Sequence, residues 1–340
     1  MAELKLTKSR ELWPDLVKLI ACGLVVLGHF TQSMVKSGFM NGGFLYQWFQ
    51  LTIYSFHVPL FFICSGYLYQ KYSHVNSVGA WWFNVRKKAV SLGVPYFVFT
   101  LLTLVMKAFA GDLANSAEIG PLQTLLFHPT APYWFLYTLF FVFFFTPTVW
   151  SPLSMIMLAA ISILLKLIYV IGGGLPSMPY VVESVSINLI WFVAGMAIAF
   201  YELDKQFSFG EALVGAAFLP MSFFAYVFKL GSLAWFFVGL FACGCILSAC
   251  VAWSRGRSES GVFTAIAQWT MPVFLMHTIF AAGIRVLLVK IGITTPAVHV
   301  VVGLAAGFVG PVFAMLAMER LHPLDFLVYP TRYVKLGRNI

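Results

Sequence analysis

The chain has 340 residues, of which 61% are apolar, 17% are aromatic and only 10% are charged. Soluble globular proteins carry about a quarter of their residues as charged side chains, so this composition excludes that class. The ordinary glycine and proline contents, 27 and 16 residues, together with the high apolar fraction, exclude collagen-like and disordered chains. The composition predicts an integral membrane protein.

Long apolar runs without the alternation of barrel strands predict membrane-spanning helices, so the expected fold class is an all-α integral membrane protein. The first run contains Asp15 and Lys18 and has no small-residue cleavage site, so we interpret it as an uncleaved helix. Of the expected spans, 186–201 is the shortest, and losing it would put the two termini on opposite faces. The roughly ten expected spans are 14–34, 48–69, 89–110, 132–151, 153–171, 186–201, 212–229, 232–253, 263–288 and 297–318.

The placement of basic residues predicts the orientation, because Lys and Arg concentrate in cytoplasmic loops. With the N-terminus inside, fourteen basic residues fall on the inner side: Lys5, Lys8, Arg10, Lys71, Arg86, Lys87, Lys88, Lys205, Arg255, Arg257, Arg320, Arg332, Lys335 and Arg338. Three fall outside: Lys36, Lys229 and Lys290. Both termini are therefore expected to be cytoplasmic, and the formal charge of +9 reflects topology rather than nucleic-acid binding.

The hydrophilic stretches are too short for an appended soluble domain, so we expect one transmembrane domain over 1–340. Its cytoplasmic ends would be the short segment 1–13 and the tail 319–340. All five cysteines lie in apolar stretches and lack paired spacing, which indicates neither disulfides nor a metal site.

The first predicted helix carries three polar side chains on one face: Asp15, Lys18 and His29. Eleven residues turn a helix by about 1100°, so His29 lies about 20° past three full turns from Lys18 and about 16 Å further along the axis. Polar groups at membrane depth are costly and favour a functional interpretation. The alternative is an i,i+3 pair at the interface, with His29 as an interhelical hydrogen bonder.

Two further histidines occur at comparable depth, each near an intramembrane proline. His57 precedes Pro59, which frees a backbone carbonyl and kinks its helix, and His277 follows Pro272 by five residues. We predict that these two and His29 line one cavity, since neutral imidazole both accepts and donates a proton near neutral pH.

Other polar residues have simpler interpretations. Lys107, Lys166 and Arg285 lie near predicted outer ends and are expected to extend to water. Arg285 is the candidate among them for a functional role, because it follows His277 by eight residues on the same helix. Arg86-Lys87-Lys88 fits an orientation signal, or a site for the phosphates of a nucleotide or coenzyme A. Trp134 fits an interfacial aromatic belt or stacking on a sugar ring.

At these residues the chain resembles the membrane acyltransferase 3 family, the bacterial O-acyltransferases that modify cell-surface sugars. The matching blocks are Asp15-x-x-Lys18-x-x-Ala21 with Val25-Val26-x-Gly28-His29, His57-Val58-Pro59-Leu60-Phe61-Phe62-x-x-Ser65-Gly66-Tyr67-Leu68, Arg86-Lys87-Lys88 before Pro95-Tyr96, Tyr133-Trp134-Phe135-Leu136, and His277. They follow in the family order over nearly the whole chain. The family commonly has Arg where Lys18 stands, and lysine keeps the charge without the planar fork.

The resemblance implies a ten-helix enzyme of the bacterial inner membrane, of the short branch without an esterase-like domain. It would transfer an acyl group from acetyl-CoA, or a related acyl-CoA, to a hydroxyl of a free or lipid-linked envelope glycan. No permanently bound cofactor and no metal are expected. Catalysis is assigned to His29, Lys18, Asp15 and His57, donor binding to Arg86, Lys87 and Lys88, and acceptor binding to Trp134, His277 and Ser65.

The residues themselves leave two other functions open. A proton-coupled transporter would use the same histidines and Lys18 as a relay between helices. In a flippase or structural partner in polysaccharide assembly, the histidines would only pack.

Overall fold

The computed structural model describes residues 11–73, 75–111, 120–172, 178–257 and 261–334, which form helices and their connections. Lys5, Lys8, Arg10, Lys335 and Arg338 lie outside the described residues. The helices are α1 (Trp13–Lys36), α2 (Phe44–Tyr54), α3 (His57–Tyr72), α4 (Val78–Lys88), α5 (Val94–Ala110), α6 (Pro121–Leu126), α7 (Trp134–Phe145), α8 (Pro152–Gly172), α9 (Tyr180–Phe200), α10 (Phe209–Gly215), α11 (Phe218–Val227), α12 (Ser232–Ser254), α13 (Gly261–Ala267), α14 (Thr270–Lys290) and α15 (Pro296–Arg320).

The number of apolar segments agrees with the sequence analysis. Within the described ranges, nine helical segments are long and apolar enough to cross a membrane, and α7 is a shorter apolar helix. Helices satisfy their own backbone hydrogen bonds, which is the condition for crossing lipid. The prediction of an all-α integral membrane protein is confirmed.

The short segment is the fourth rather than the sixth, so that expectation was wrong. Helix α9 has 21 residues. Its first turns carry Glu183, Ser184 and Asn188, whose polarity lowers the hydropathy of the segment. Because these side chains line a cavity rather than face lipid, the helix keeps its full length. Helix α7 has 12 residues, about 18 Å, against a hydrocarbon core of about 30 Å. It ends where Thr146 turns extended before Pro147, as a residue preceding proline tends to do.

The second predicted span, 48–69, is broken into α2 and α3 at Ser55 and Phe56. Pro59 has no N–H to donate to the Ser55 carbonyl, which accounts for the break near the predicted kink. Gly239 of α12 packs against this carbonyl, since a Cβ atom at Gly239 would lie 2.4 Å from its oxygen. The break therefore depends on a glycine of another helix.

The third predicted span begins at Val78 rather than at residue 89. Helix α4 continues through a π-helical turn, Ala89–Gly93, into α5. Arg86-Lys87-Lys88 is consequently the last turn of a helix and not a loop before one. Pro95 lacks the N–H for a regular helical bond, and π-turns accommodate such interruptions.

Side-chain hydrogen bonds identify the two ends of the bundle. At one end, which we call the Glu11 face, the Tyr67 hydroxyl lies 2.7 Å from Glu11 Oε2 and 3.0 Å from Asp204 Oδ2. At the other, the Lys36 face, the Tyr226 hydroxyl donates to Gln47 Oε1 at 3.0 Å.

Helix α1 lies at the centre and packs against α3, α12, α14 and α15. The most intimate contact is between α3 and α9, where a Cβ atom at Gly66 would lie 1.9 Å from the Phe192 carbonyl oxygen. Likewise, a Cβ atom at Gly195 would lie 1.9 Å from the Ile63 carbonyl oxygen. Lipid tails are as apolar as leucine, so helices in membranes associate through such close packing of small residues.

Substituting Gly66→Ala is expected to separate α3 from α9, because the added methyl meets backbone that cannot rotate away. Overpacking of this kind costs about 1–3 kcal/mol or more, so the thermal unfolding temperature in detergent should fall clearly. Gly244→Ala is the matched control, since nothing lies within 4 Å of a Cβ there. A wild-type unfolding temperature for Gly66→Ala would contradict the α3–α9 packing.

The chain after α15 folds back on the Glu11 face. The Tyr333 hydroxyl donates to Asp325, Arg332 Nη1 lies 3.1 Å from Asp325 Oδ2, and the Tyr329 hydroxyl donates to the Gln268 carbonyl at 2.9 Å. Donation by Tyr333, and next by Arg332, holds the pKa of the Asp325 carboxyl below its usual value. Asp325 thus anchors this hook, residues 321–334.

We expect Asp325→Asn to loosen the hook, measured as several-fold faster tryptic cleavage after Arg332 at neutral pH. Because the folded pKa of Asp325 is below the unfolded value of about 3.9, the anchoring is complete above that pH and is lost as the pH falls through the folded pKa. Glu319→Gln, which removes a 3.2 Å contact of Arg332 at the surface, should have a smaller effect. Equal cleavage rates for both variants would count against Asp325 as the anchor.

Candidate functional site

The structure brings His29, His57 and His277 together, but they do not line one cavity as predicted: His29 and His57 line one cavity, and His29 and His277 line another. The ring centroids of His29 and His277 are 5.5 Å apart. The centroid of the Tyr54 ring lies 6.3 Å from that of His29 and 4.7 Å from that of His57, so Tyr54 contacts both imidazoles. We call the three imidazoles the histidine cluster; it joins α1, α3 and α14.

Backbone carbonyls fix the tautomers of two of these histidines. His57 Nδ1 lies 2.5 Å from the Ile53 carbonyl oxygen, just across the α2–α3 break. His277 Nδ1 lies 3.0 Å from the Val273 oxygen and 2.9 Å from the Phe274 oxygen. A carbonyl only accepts, so Nδ1 carries the proton in both rings and each Nε2 keeps its lone pair. His277 Nε2 is buried and has no partner among the described residues.

A cavity of about 900 Å³, cavity 1, opens beside His29 and His57. Its wall is rich in aromatic rings and carries a few polar groups, the usual composition of a small-molecule site. The lining includes Tyr54, Trp134, Phe135, Tyr169, Tyr180, Trp191, Trp235, Phe236, Phe274, Gln32, Lys166, Glu183, Ser184 and Asn188.

A second cavity of about 660 Å³, cavity 2, lies between α1, α5 and α14 toward the Lys36 face. It reaches His277 and contains basic and hydroxyl side chains. The lining includes Gln32, Ser33, Lys36, Thr103, Lys107, Phe109, Thr130, Thr278, Arg285 and Lys290.

His29 stands where the two cavities meet. His29, Gln32 and Ala131 line both of them. The imidazole is half-buried and lies about 10 Å from the end of α1 at Lys36, as the helical rise over seven residues gives. A reacting group held at His29 is therefore within reach of ligands in either cavity.

Two of the predicted catalytic residues, Asp15 and Lys18, lie in the other half of the bundle from His29. Lys18 Nζ is 3.9 Å from Asp15 Oδ1, which is the i,i+3 pair of the alternative interpretation. Lys18 is about 16 Å from His29 along α1, so Asp15 and Lys18 do not touch the histidine cluster. Among the described residues, they line neither cavity 1 nor cavity 2.

Of the basic run, Arg86 and Lys87 are exposed, whereas Lys88 turns inward. Lys88 Nζ lies 3.8 Å from the centre of the Phe143 ring, a cation–π contact. The charge of Lys18 acts on Lys88, which places these two ammonium groups near one another. The structure thus brings Lys18 and Lys88 together at the Glu11 face, apart from the histidines.

Of the three predicted acceptor-binding residues, two line a cavity and one does not. Trp134 and His277 each line a cavity bordered by His29. Ser65, two turns past His57 on α3, lies outside both described linings. It precedes Gly66, whose close packing against α9 accounts for the small residues there.

Several site residues were missed by sequence reasoning. Lys166 was expected to extend to water, but it is buried and its Nζ lies 5.5 Å from the Phe236 ring centre and 6.0 Å from that of Trp191. Asn188 was included only as part of the predicted span 186–201, and Glu183 fell in the loop before that span. A signal was present, because intramembrane polar residues normally face a cavity.

The fold and the cluster define the class: an integral membrane protein with three neighbouring imidazoles at the junction of two cavities. Residues 11–316 match the family model described as acyltransferase domain, so the chain belongs to this acyltransferase family and is a membrane acyltransferase. The chain is similar to nodulation protein NolL of Mesorhizobium japonicum, with 31% identity over 148 residues, 40% of this chain and 35% of that protein. The match thus spans about a third of that relative's length. No solved structure matches the chain.

The hydrogen bonds of the cluster predict that His57 and His277 are Nδ1–H tautomers. Two-bond ¹H–¹⁵N correlation spectra of ¹⁵N-histidine-labelled protein in detergent should show this pattern for both rings. His57→Gln and His277→Gln assign the signals, and the exposed His128 provides an averaged reference. An Nε2–H pattern for either ring would overturn the proposed arrangement.

Proposed function

We propose that the protein transfers an acyl group from an acyl-CoA, in the first instance acetyl-CoA, to a hydroxyl of a cell-envelope or exported glycan. The observation that carries the proposal is the position of His29, which borders both cavities and lies beside His57 and His277. Family membership supports the acyl transfer, and the site supports a base for an unactivated hydroxyl.

Cavity 1 suits the acceptor sugar. The C–H groups of a sugar face carry partial positive charge and stack on the negative faces of aromatic rings. Trp134, Trp191 and Trp235 supply such faces in this cavity. Glu183 and Asn188 accept from and donate to ring hydroxyls, and the buried Lys166 ammonium donates to a sugar oxygen.

In the reaction, His29 accepts the proton of the sugar hydroxyl as its oxygen attacks the thioester carbonyl carbon. The C–O bond forms, the C–S bond breaks, and the CoA thiolate leaves with the proton that His29 returns. In the reactive complex, His57 or His277 would accept a hydrogen bond from the other ring nitrogen of His29 through the lone pair on its Nε2, which would orient the base. No covalent acyl-enzyme is required.

The donor would approach from the Glu11 face. Lys18, Lys88 and the exposed Arg86 and Lys87 concentrate positive charge there, which suits the phosphates of CoA. The long pantetheine arm would carry the thioester toward His29. On this proposal the Glu11 face is cytoplasmic and the membrane is the bacterial inner membrane; the excess of basic residues on that side supports this orientation.

Replacing His29 by Ala should leave a folded protein with transfer reduced at least about 100-fold, the usual contribution of a general base. The measurement is radiolabelled acetyl transfer to glycan by purified protein, with free CoA released only when donor and acceptor are both present. In cells, NMR of surface glycans should show the matching loss of O-acetyl groups.

His128→Gln is the control, since His128 is exposed and lies outside both cavity linings. Full transfer by a folded His29→Ala protein would refute the assigned base. Substrate accumulation in vesicles without any acyl-CoA would instead indicate a transporter.

A further inference from the structure

Cavity 2 holds a concentration of positive charge that the proposed reaction does not use. Lys36 comes from α1, Lys107 from α5, and Arg285 and Lys290 from α14. Lys36 and Lys290 are exposed, Lys107 is half-buried, and Arg285 is only 6% exposed. The four charges therefore lead from the Lys36 face into the interior of the bundle.

Among the described residues, no acidic side chain lines this cavity. Asp112 and Glu118 lie outside the described residues. The charge of Lys36 acts on Lys107, so two like charges are held near one another. Arg285 Nη1 lies 3.5 Å from the Ser33 carbonyl oxygen. Gathering like charges inside a cleft is unfavourable by itself and favours the binding of an anion.

The positions of Lys107 and Arg285 are not explained by side chains that extend outward to water. Lysine and arginine near helix ends normally direct their charged groups outward to the membrane surface. Here Arg285 is buried and Lys107 partly so, and both line the cavity. Thr103 and Thr130 add hydroxyl donors to the same wall. Guanidinium, ammonium and hydroxyl donors together are the groups that bind phosphate oxygens.

The rim of cavity 2 is apolar on one side. Phe109, which lines the cavity, is 84% exposed at the end of α5. Leu101 and Val105 on the same helix are also exposed, so α5 presents an apolar surface to lipid. A ligand with a phosphate head and a hydrocarbon chain would match both parts of this opening.

We propose that cavity 2 is a phosphate-binding site, and that its phosphate belongs to a substrate of the enzyme. Its position favours the diphosphate of a prenyl-linked sugar. The sugar would then pass from cavity 2 to cavity 1 at His29, Gln32 and Ala131, which line both. This last step rests on the proposed function, whereas phosphate binding does not. The phosphates of CoA are the other source of the same chemistry.

The test measures ligand binding by the full chain purified in detergent, without acyl transfer. Farnesyl diphosphate is compared with farnesol, and CoA with pantetheine, by titration and by thermal unfolding. Farnesyl diphosphate should bind and raise the unfolding temperature, and farnesol should not. Lys107→Gln and Arg285→Gln should each raise the Kd at least about tenfold, the expected loss of a charge-assisted hydrogen bond.

Lys229→Gln is the matched control, because Lys229 is an exposed lysine on the Lys36 face outside the cavity lining. Arg285→Lys should retain part of the affinity, which separates loss of charge from misfolding. Lys107→Gln should also unfold at an equal or higher temperature without ligand, since it relieves repulsion from Lys36.

The two sources of phosphate give different results. Tight binding of CoA that Arg285→Gln weakens, without binding of farnesyl diphosphate, would support the phosphate site and assign it to the donor. Equal binding of farnesol and farnesyl diphosphate, or unchanged affinities in both Gln variants, would overturn the site. Loss of transfer in His29→Ala with diphosphate binding intact would show that catalysis and phosphate binding are separable.

Discussion

A polar side chain at membrane depth must find its hydrogen-bond partner inside the protein, because the surrounding lipid offers none. In this bundle the partners are largely main-chain carbonyls. The Ile53 oxygen holds His57, the Val273 and Phe274 oxygens hold His277, and the Tyr133 hydroxyl donates to Leu275. These bonds leave the Nε2 atoms of His57 and His277 as hydrogen-bond acceptors.

Helix breaks and close contacts place these groups. The α2–α3 break next to Pro59 brings His57 against the end of α2, and the glycine contacts of α3 with α9 fix the height of α3 in the bundle. Helix α1 at the centre then sets His29 opposite both other imidazoles. These contacts fix the three imidazoles relative to one another, because each is held by helices that cannot shift independently.

Charge is divided between the two halves of the molecule. Lys18, Lys88 and the Asp325 hook lie toward the Glu11 face, whereas Lys107 and Arg285 line cavity 2 toward the other. The histidine cluster stands between them and carries neutral groups with free lone pairs. Positive charge at the two ends is therefore separated by the length of α1, and each group can attract an anion independently of the other.

The sequence by itself determined the all-helical membrane fold, the number of apolar segments and the depth of His29, His57 and His277, because hydropathy and helical rise are local properties. It did not reveal that α9 is full length, since Glu183 and Asn188 lower hydropathy while facing a cavity. Nor did it place Lys166 and Arg285, whose direction depends on neighbouring helices. The two cavities and their meeting at His29 were decided by the tertiary structure alone, because helix packing brings together residues far apart in the chain.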